Sequence, residues 1–155
     1  SLTLAAWLLP EGLPPGRPPA NEARYGILHK PGGHFGPAFD HTGKFAVEYW
    51  TADMKGFGLA SEKIYAPGAW HHVAQVLNLE AGTQEIFVDG EWQGYVDIPR
   101  GAKTLDYKTQ AFRIGIANPG GKEYAWPAKG AIDDIRIYSR PLGLDEVRAL
   151  HRLAR

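Results

Sequence analysis

Few residues in this chain are of a type and spacing that could do chemistry. Asp133 and Asp134 stand side by side in Gly130–Ser139, a stretch with the pattern of a strand. Adjacent strand residues point to opposite faces, so both carboxylates cannot face solvent if the sheet is covered on both sides. A carboxylate turned toward a covered sheet needs hydrogen-bond donors or a cation. His71 and His72 are also neighbours on a strand pattern, and for the same reason they are poorly placed to chelate one ion. His29, His34 and His41 are scattered among loops, with neither H-E-x-x-H nor H-x-H spacing, so zinc is not expected. Glu80, Glu85, Asp89 and Glu91 fall at turns or hairpin ends, without the pairing that general acid–base work requires. A G-x-S-x-G elbow is absent as well.

Aromatic residues are the richest signal. Trp7, Trp70 and Phe87 sit within strand patterns and are expected in the core, with Trp70 and Ile135 nearly fully buried. Trp50, Trp92, Tyr95, Tyr107, Tyr124 and Trp126 lie instead at strand ends, in hairpins or in loops. An exposed ring can stack on the apolar face of a sugar while polar neighbours read its hydroxyls. The competing reading is that each ring merely plugs an end of the fold. Trp50 must project outward if Phe45, Val47 and Tyr49 form the core face of its strand. The loop Asn118–Pro127 places Tyr124 and Trp126 beside Lys122 and Glu123, and long loops between strands are often functional. The expected ligand-contacting set is therefore Trp50, Trp92, Tyr95, Tyr124 and Trp126.

The elements that must position these residues are mostly strands. Leu2–Leu9 is almost wholly apolar and closes at Pro10, as suits a strand covered on both faces. A proline-dense loop follows to Pro19; Tyr25–Lys30 is a short strand, and Pro31–Gly43 reads as glycine-rich loop. Lys44–Thr51 alternates, and Trp70–Leu79 is rich in valine and leucine. Gln84–Val88 and Glu91–Ile98 flank Asp89-Gly90, the favoured pair for a type I′ hairpin turn. Ala111–Ala117 turns Phe112, Ile114 and Ile116 inward, and Gly130–Ser139 completes the series. Only the tail looks helical: Leu144, Val147, Leu150 and His151 form one stripe, with Asp145 and Glu146 at its start and Arg148, Arg152 and Arg155 toward its end. About nine short strands and a single helix predict an all-β, two-sheet antiparallel sandwich.

Composition sets the outer limits. A chain of 155 residues suits one domain, and 44% hydrophobic residues are enough for a core without staples. Seventeen basic and seventeen acidic residues cancel, leaving no field to draw the chain onto nucleic acid or anionic membrane. The absence of cysteine removes disulfides, thiolate metal sites and thiol nucleophiles together. No apolar run reaches the roughly 18 residues needed to span a bilayer, and Leu2–Leu9 lacks the flanks of a signal peptide. The chain opens inside a strand, which is expected of a part of a longer parent protein.

Four segments carry a family likeness. Trp70-His-His-Val-Ala-Gln-Val76 resembles the "WHHVAVV" strand of laminin-G-like bacterial jelly rolls of the concanavalin A-like class. Glu85-Ile-Phe-Val-Asp-Gly-Glu91 is similar to their "LYVDGK" hairpin, and Leu2-Thr-Leu-Ala-Ala-Trp7 to their "FTLSAWVK" strand. Gly130–Leu142 resembles "GxIDDVRIYNRALS", and Asp145-Glu146-Val147 the "AEEV" helix after it. The four occur in order along residues 1–155, read as a single domain. One departure is the family's opening strand, of the type "ALxFDGxxDYV", which is missing.

The resemblance implies a jelly-roll sandwich with a short C-terminal helix, in an extracellular or cell-surface protein. It implies a structural calcium near Asp133 and Asp134 in many relatives; the alternative for this pair is an ion pair with Arg136 or Arg113. It marks the His71–His72 pair as part of the fold. Family 16 glycoside hydrolases share the jelly roll and carry an E-x-D-x-x-E strand, which this chain lacks. The expected function is therefore noncatalytic recognition of a polysaccharide or other glycan. The alternatives are a structural or adhesion domain contacting protein, and a degenerate polysaccharide-active enzyme domain.

Overall fold

A computed structural model of the chain describes residues 1–15, 24–30, 36–104, 111–116 and 127–153. In chain order the strands are β1 (Leu2–Pro10), β2 (Arg24–Gly26), β3 (Leu28–His29), β4 (Gly36–Asp40), β5 (Phe45–Trp50) and β6 (Gly56–Ala60). They continue with β7 (His71–Asn78), β8 (Thr83–Val88), β9 (Glu91–Asp97), β10 (Arg113–Ile114) and β11 (Gly130–Tyr138), and helix α1 (Leu144–Leu153) follows. One sheet has the order β11-β1-β7-β8-β9, a second β2-β4-β5-β6, and β10 pairs with β3 alone; every named pair is antiparallel. This is the expected jelly-roll sandwich with one terminal helix.

Alternation along the strands explains how the layers close. In β1, Leu4, Ala6 and Leu8 face the second sheet and join Phe39, Phe45, Val47, Val73, Ile86 and Val88 in the main core. The opposite face of the same sheet contributes Ala5, Ala74, Val76 and Phe87, and α1 covers it with Val147 and Leu150. That double coverage is why β1 is apolar on both sides. Burying each of the two helix side chains contributes about 1.5–3 kcal/mol, which is what holds so short a helix in place. Its start is tied down twice: Glu146 accepts from the Gly143 N–H at 3.0 Å, and Arg140 makes a bidentate pair with the same carboxylate at 2.9 and 2.6 Å. These bonds, the arginine pair first, hold the Glu146 carboxyl down at about 2.

Between the sheets the core is not wholly apolar. Gln75 of β7 and Gln84 of β8 are fully buried, and their amides are 2.6 Å apart. Gln75 Nε2 also donates across the sandwich to the Glu48 carbonyl at 3.0 Å, and Gln84 Nε2 to the Phe57 carbonyl at 2.9 Å. The two amides thus bind β7 and β8 to β5 and β6.

Several expectations need correction. Gly36–Asp40 lies in the stretch read as loop, yet it forms β4 at the middle of the second sheet. Pro37 is tolerated there because its carbonyl accepts from Ile27 N at 3.1 Å, so its missing N–H faces the same side, beyond the last β2–β4 pair, Gly26↔Ala38. β6 was also unforeseen. Tyr25–Lys30 is not one strand: it bends at Ile27 and passes from β2 in one sheet to β3 in another. Ile114 is 57% exposed rather than inward, because β10 has only two residues and Gly115, at φ 72°, ends the alternation. Trp70 precedes β7 and is half-buried, and Ile135 is half-buried because β11 is an edge strand.

Candidate functional site

The β8–β9 hairpin builds the most open aromatic surface among the described residues. Its turn is the expected one, with Asp89 and Gly90 at φ 53° and 76°. Past the turn the register slips: Phe87 pairs with Trp92, but Ile86 pairs with Gly94, leaving Gln93 as an extra residue. Gly94, at φ 139°, accommodates the bulge. Gln93 turns in, is buried, and accepts from Lys63 N at 3.2 Å. The slip has a direct consequence. Residues three apart on a regular strand face opposite ways, but here Trp92 and Tyr95 share the outward face, opposite Phe87 and Glu85. They are 48% and 54% exposed, with ring centroids 6.3 Å apart and planes inclined at 31°. Trp92 Nε1 donates to Glu85 Oε2 at 3.0 Å, which fixes the indole and leaves the second carboxylate oxygen open.

Trp50 belongs to another surface. It projects from the outward face of the second sheet, as expected, and lies over Gly56, where a Cβ would come within 2.8 Å of the indole. Its N–H donates to Glu48, whose other oxygen accepts from Arg24 at 3.0 Å. Trp50 and the Trp92–Tyr95 pair therefore stand on opposite outward faces of the sandwich. Tyr107, Tyr124 and Trp126 lie outside the described residues. Of the five expected contact residues, the structure joins Trp92 to Tyr95 and separates both from Trp50. Glu85, which sequence reasoning set aside as a stray hairpin acid, completes the pair; only cross-strand register could have revealed it.

Asp133 and Asp134 do not alternate in the way a regular strand would place them. Trp7 pairs with Asp133 but Ala5 with Arg136, so β11 bulges, with Asp134 at φ 45°. Asp133 is exposed and accepts from the Asp134 N–H at 2.8 Å, while Asp134 pairs with Arg136 Nε at 2.9 Å. Arg136, not Arg113, is the partner of Asp134. No group of three His, Asp or Glu side chains among the described residues is placed to hold a metal ion. Asp134 thus shares its carboxylate with Arg136, and Asp133 stands exposed beside it.

The histidine pair divides as its strand position requires. His71 turns inward against Phe45 and Tyr65 and shares a 2.8 Å hydrogen bond with Asp89. Burial raises the Asp89 carboxyl, but the bonds from His71 and the His72 N–H outweigh it and hold it below its usual value. Burial, with Asp89 and Glu91 nearby, pushes the Tyr65 hydroxyl up to about 12. His72 faces the helix and packs against Trp7 and His151, ring centroids 5.4 and 6.0 Å away. Burial first, then His151, lowers its pKa to about 4. The hairpin acids are dispersed rather than paired: Glu85 holds Trp92, Asp89 holds His71, and Glu91 pairs with Lys63.

Fold and site together describe a laminin-G-type jelly roll with an open aromatic edge. The chain belongs to the concanavalin A-like lectin/glucanases superfamily, whose sequence profile it matches over residues 1–148. No curated protein sequence matches it. Among solved structures it is similar to the CBM40 domain of a Ruminococcus gnavus IT-sialidase, with a TM-score of 0.74 at 18% identity, covering 97% of this chain and 82% of that one. The same domain with α2,3-sialyllactose bound gives a TM-score of 0.69 at 17% identity, with the same two coverages, 97% and 82%. A candidate carbohydrate-binding protein from Bacteroides ovatus gives 0.69 at 19% identity, covering 95% of this chain. The chain spans only 39% of that protein, and 36% of the binding domain of Paraclostridial Mosquitocidal Protein 1, which it matches at a TM-score of 0.68 and 14% identity. Likeness at this level of identity shows the fold.

Proposed function

We propose that this chain is a noncatalytic carbohydrate-binding domain of an extracellular or cell-surface protein, and that it grips glycan through Trp92, Tyr95 and Glu85. The observation that carries this reading is the exposed Trp92–Tyr95 pair on the edge strand β9, with Trp92 hydrogen-bonded to Glu85 of the neighbouring β8. Two large rings held open beside a free carboxylate oxygen are stacking planes with a hydroxyl acceptor at hand. Glu85, Asp89 and Glu91 are each engaged by a neighbour, Trp92, His71 and Lys63, which supports a binding role for the hairpin. Likeness in fold to a sialidase CBM40 domain supports it further. No helix among the described residues is long and apolar enough to cross a membrane.

Titration of tryptophan fluorescence with soluble polysaccharides tests the reading. Stacking on one ring contributes about 0.5–1.5 kcal/mol beyond area burial, so Trp92→Ala should weaken binding by about 2- to 10-fold or more. Unchanged affinity in that variant would place the sugar elsewhere. Absence of glycan binding by the intact domain would favour the adhesion alternative.

A further inference from the structure

We infer that the Trp92–Tyr95 face selects glycans that carry no negative charge, whether neutral or amine-bearing, and rejects sialylated, uronic and sulfated chains. The inference rests on the glycan-binding reading above and adds the chemical class of ligand. Two carboxylates flank the rings. Glu85 lies directly opposite Tyr95, and Asp97, two residues further along β9, points to the same outward face, opposite Thr83. Diagonal neighbours of this kind stand about 7–8 Å apart, so a ring stacked on Tyr95 lies within a Debye length of both acids. Among the described residues neither Glu85 nor Asp97 has a cationic partner.

Arg100 lies beside Gly82, at the Asp97 end of this face, and forms no ion pair with Asp97 among the described residues. Arg140 and Arg148 are paired with Glu146 and Asp145. Arg152 is exposed in the last turn of α1, on the neighbouring element rather than on β8 or β9. A carboxylate or sulfate seated on the rings would meet acceptors where it needs donors. A hydroxyl or an ammonium would find in the open Glu85 oxygen the partner it needs. This preference is the reverse of the sialyllactose carried by the Ruminococcus gnavus domain of like fold.

Calorimetric titration of the whole domain with three kinds of probe decides the matter: neutral gluco-, manno-, galacto- and xylo-oligosaccharides, a glucosamine oligomer, and α2,3-sialyllactose. At least one neutral or amine-bearing probe should bind tenfold or more tighter than sialyllactose, and the gap should shrink at high salt. Glu85→Gln should narrow it several-fold, and Trp92→Ala should weaken binding of the preferred probe by about 2- to 10-fold or more while the melting temperature stays within about 2 °C. Sialyllactose binding as tight as the best neutral probe, and weakened in Trp92→Ala, would overturn the selectivity and leave the glycan reading standing. Affinity for the preferred probe that is unchanged in Trp92→Ala would overturn the assignment to this face. No binding of any probe by a folded domain would remove the glycan reading and the selectivity with it.

Discussion

His72 offers the sharpest test of how the sheet and the helix are packed. Its side chain is 1% exposed, beneath α1 and against Trp7 and His151. The charged groups that act on it are His151 and Arg136, which resist its protonation, and Asp89 and Asp134, which favour it; burial outweighs all four and sets its pKa near 4. An unfolded histidine titrates near 6.5. As pH falls, the unfolded chain therefore gains its proton first, while the folded state refuses one until about pH 4. Stability from this group is complete above about pH 6.5 and is lost as pH falls toward 4. The difference of about 2.5 pKa units caps the loss at about 3 kcal/mol, of which about 2 kcal/mol has gone between pH 7 and pH 5. Urea unfolding of the wild type and of His72→Phe at both pH values isolates the effect, because the other titrating groups are common to both. The wild type should lose about 2 kcal/mol more than the variant over that interval. Equal losses in the two proteins would refute the claim that His72 is buried and neutral.

Phe87→Ala removes the ring that α1 covers and should cost about 3–5 kcal/mol, read as a lower urea midpoint, with loss of helical circular dichroism if the helix detaches. Gly130→Ala should fail to fold or fall sharply in melting temperature: a Cβ there would sit 1.9 Å from the Leu9 carbonyl oxygen at a φ of 139°. Excess calcium and excess chelator should each leave the melting temperature unchanged within about 1 °C if the Asp134–Arg136 ion pair accounts for the carboxylates; a rise with calcium and a fall with chelator would show that Asp133 or Asp134 helps hold an ion.

The fold was legible wherever one short window carried a full signal. Asp89-Gly90 declares its hairpin by turn chemistry alone, and the stripe of Val147 and Leu150 declares the helix. β4 and β6 were not legible, because Gly36-Pro37 and Gly56-Phe-Gly-Leu-Ala60 have little strand propensity of their own; pairing on both sides of β5 makes them strands. Gly36 has a further reason: a Cβ there would strike the Leu28 carbonyl oxygen, so a residue that reads as loop is demanded by a close backbone crossing. The same division holds at the site. Trp92 and Tyr95 could be picked out as residues of a hairpin, but their common face depends on a bulge, and the partnership with Glu85 on strand register. Neither is written in local spacing.

The buried Gln75–Gln84 pair has a consequence for how the two sheets find their mutual position. Greasy faces tolerate sliding, since one apolar contact replaces another at small cost. Amides do not. Each one donates to a single carbonyl on the facing sheet, at Glu48 or Phe57, and a slip of one residue would break both bonds, leaving Gln75 only its bond to Gln84 and stranding the Gln84 donor in a buried interior. An unsatisfied buried donor costs about 1–3 kcal/mol, so a slipped sandwich would forfeit much of the margin that keeps a domain folded. The pair thus acts as a dowel through two boards: it adds little grip, and it permits one alignment.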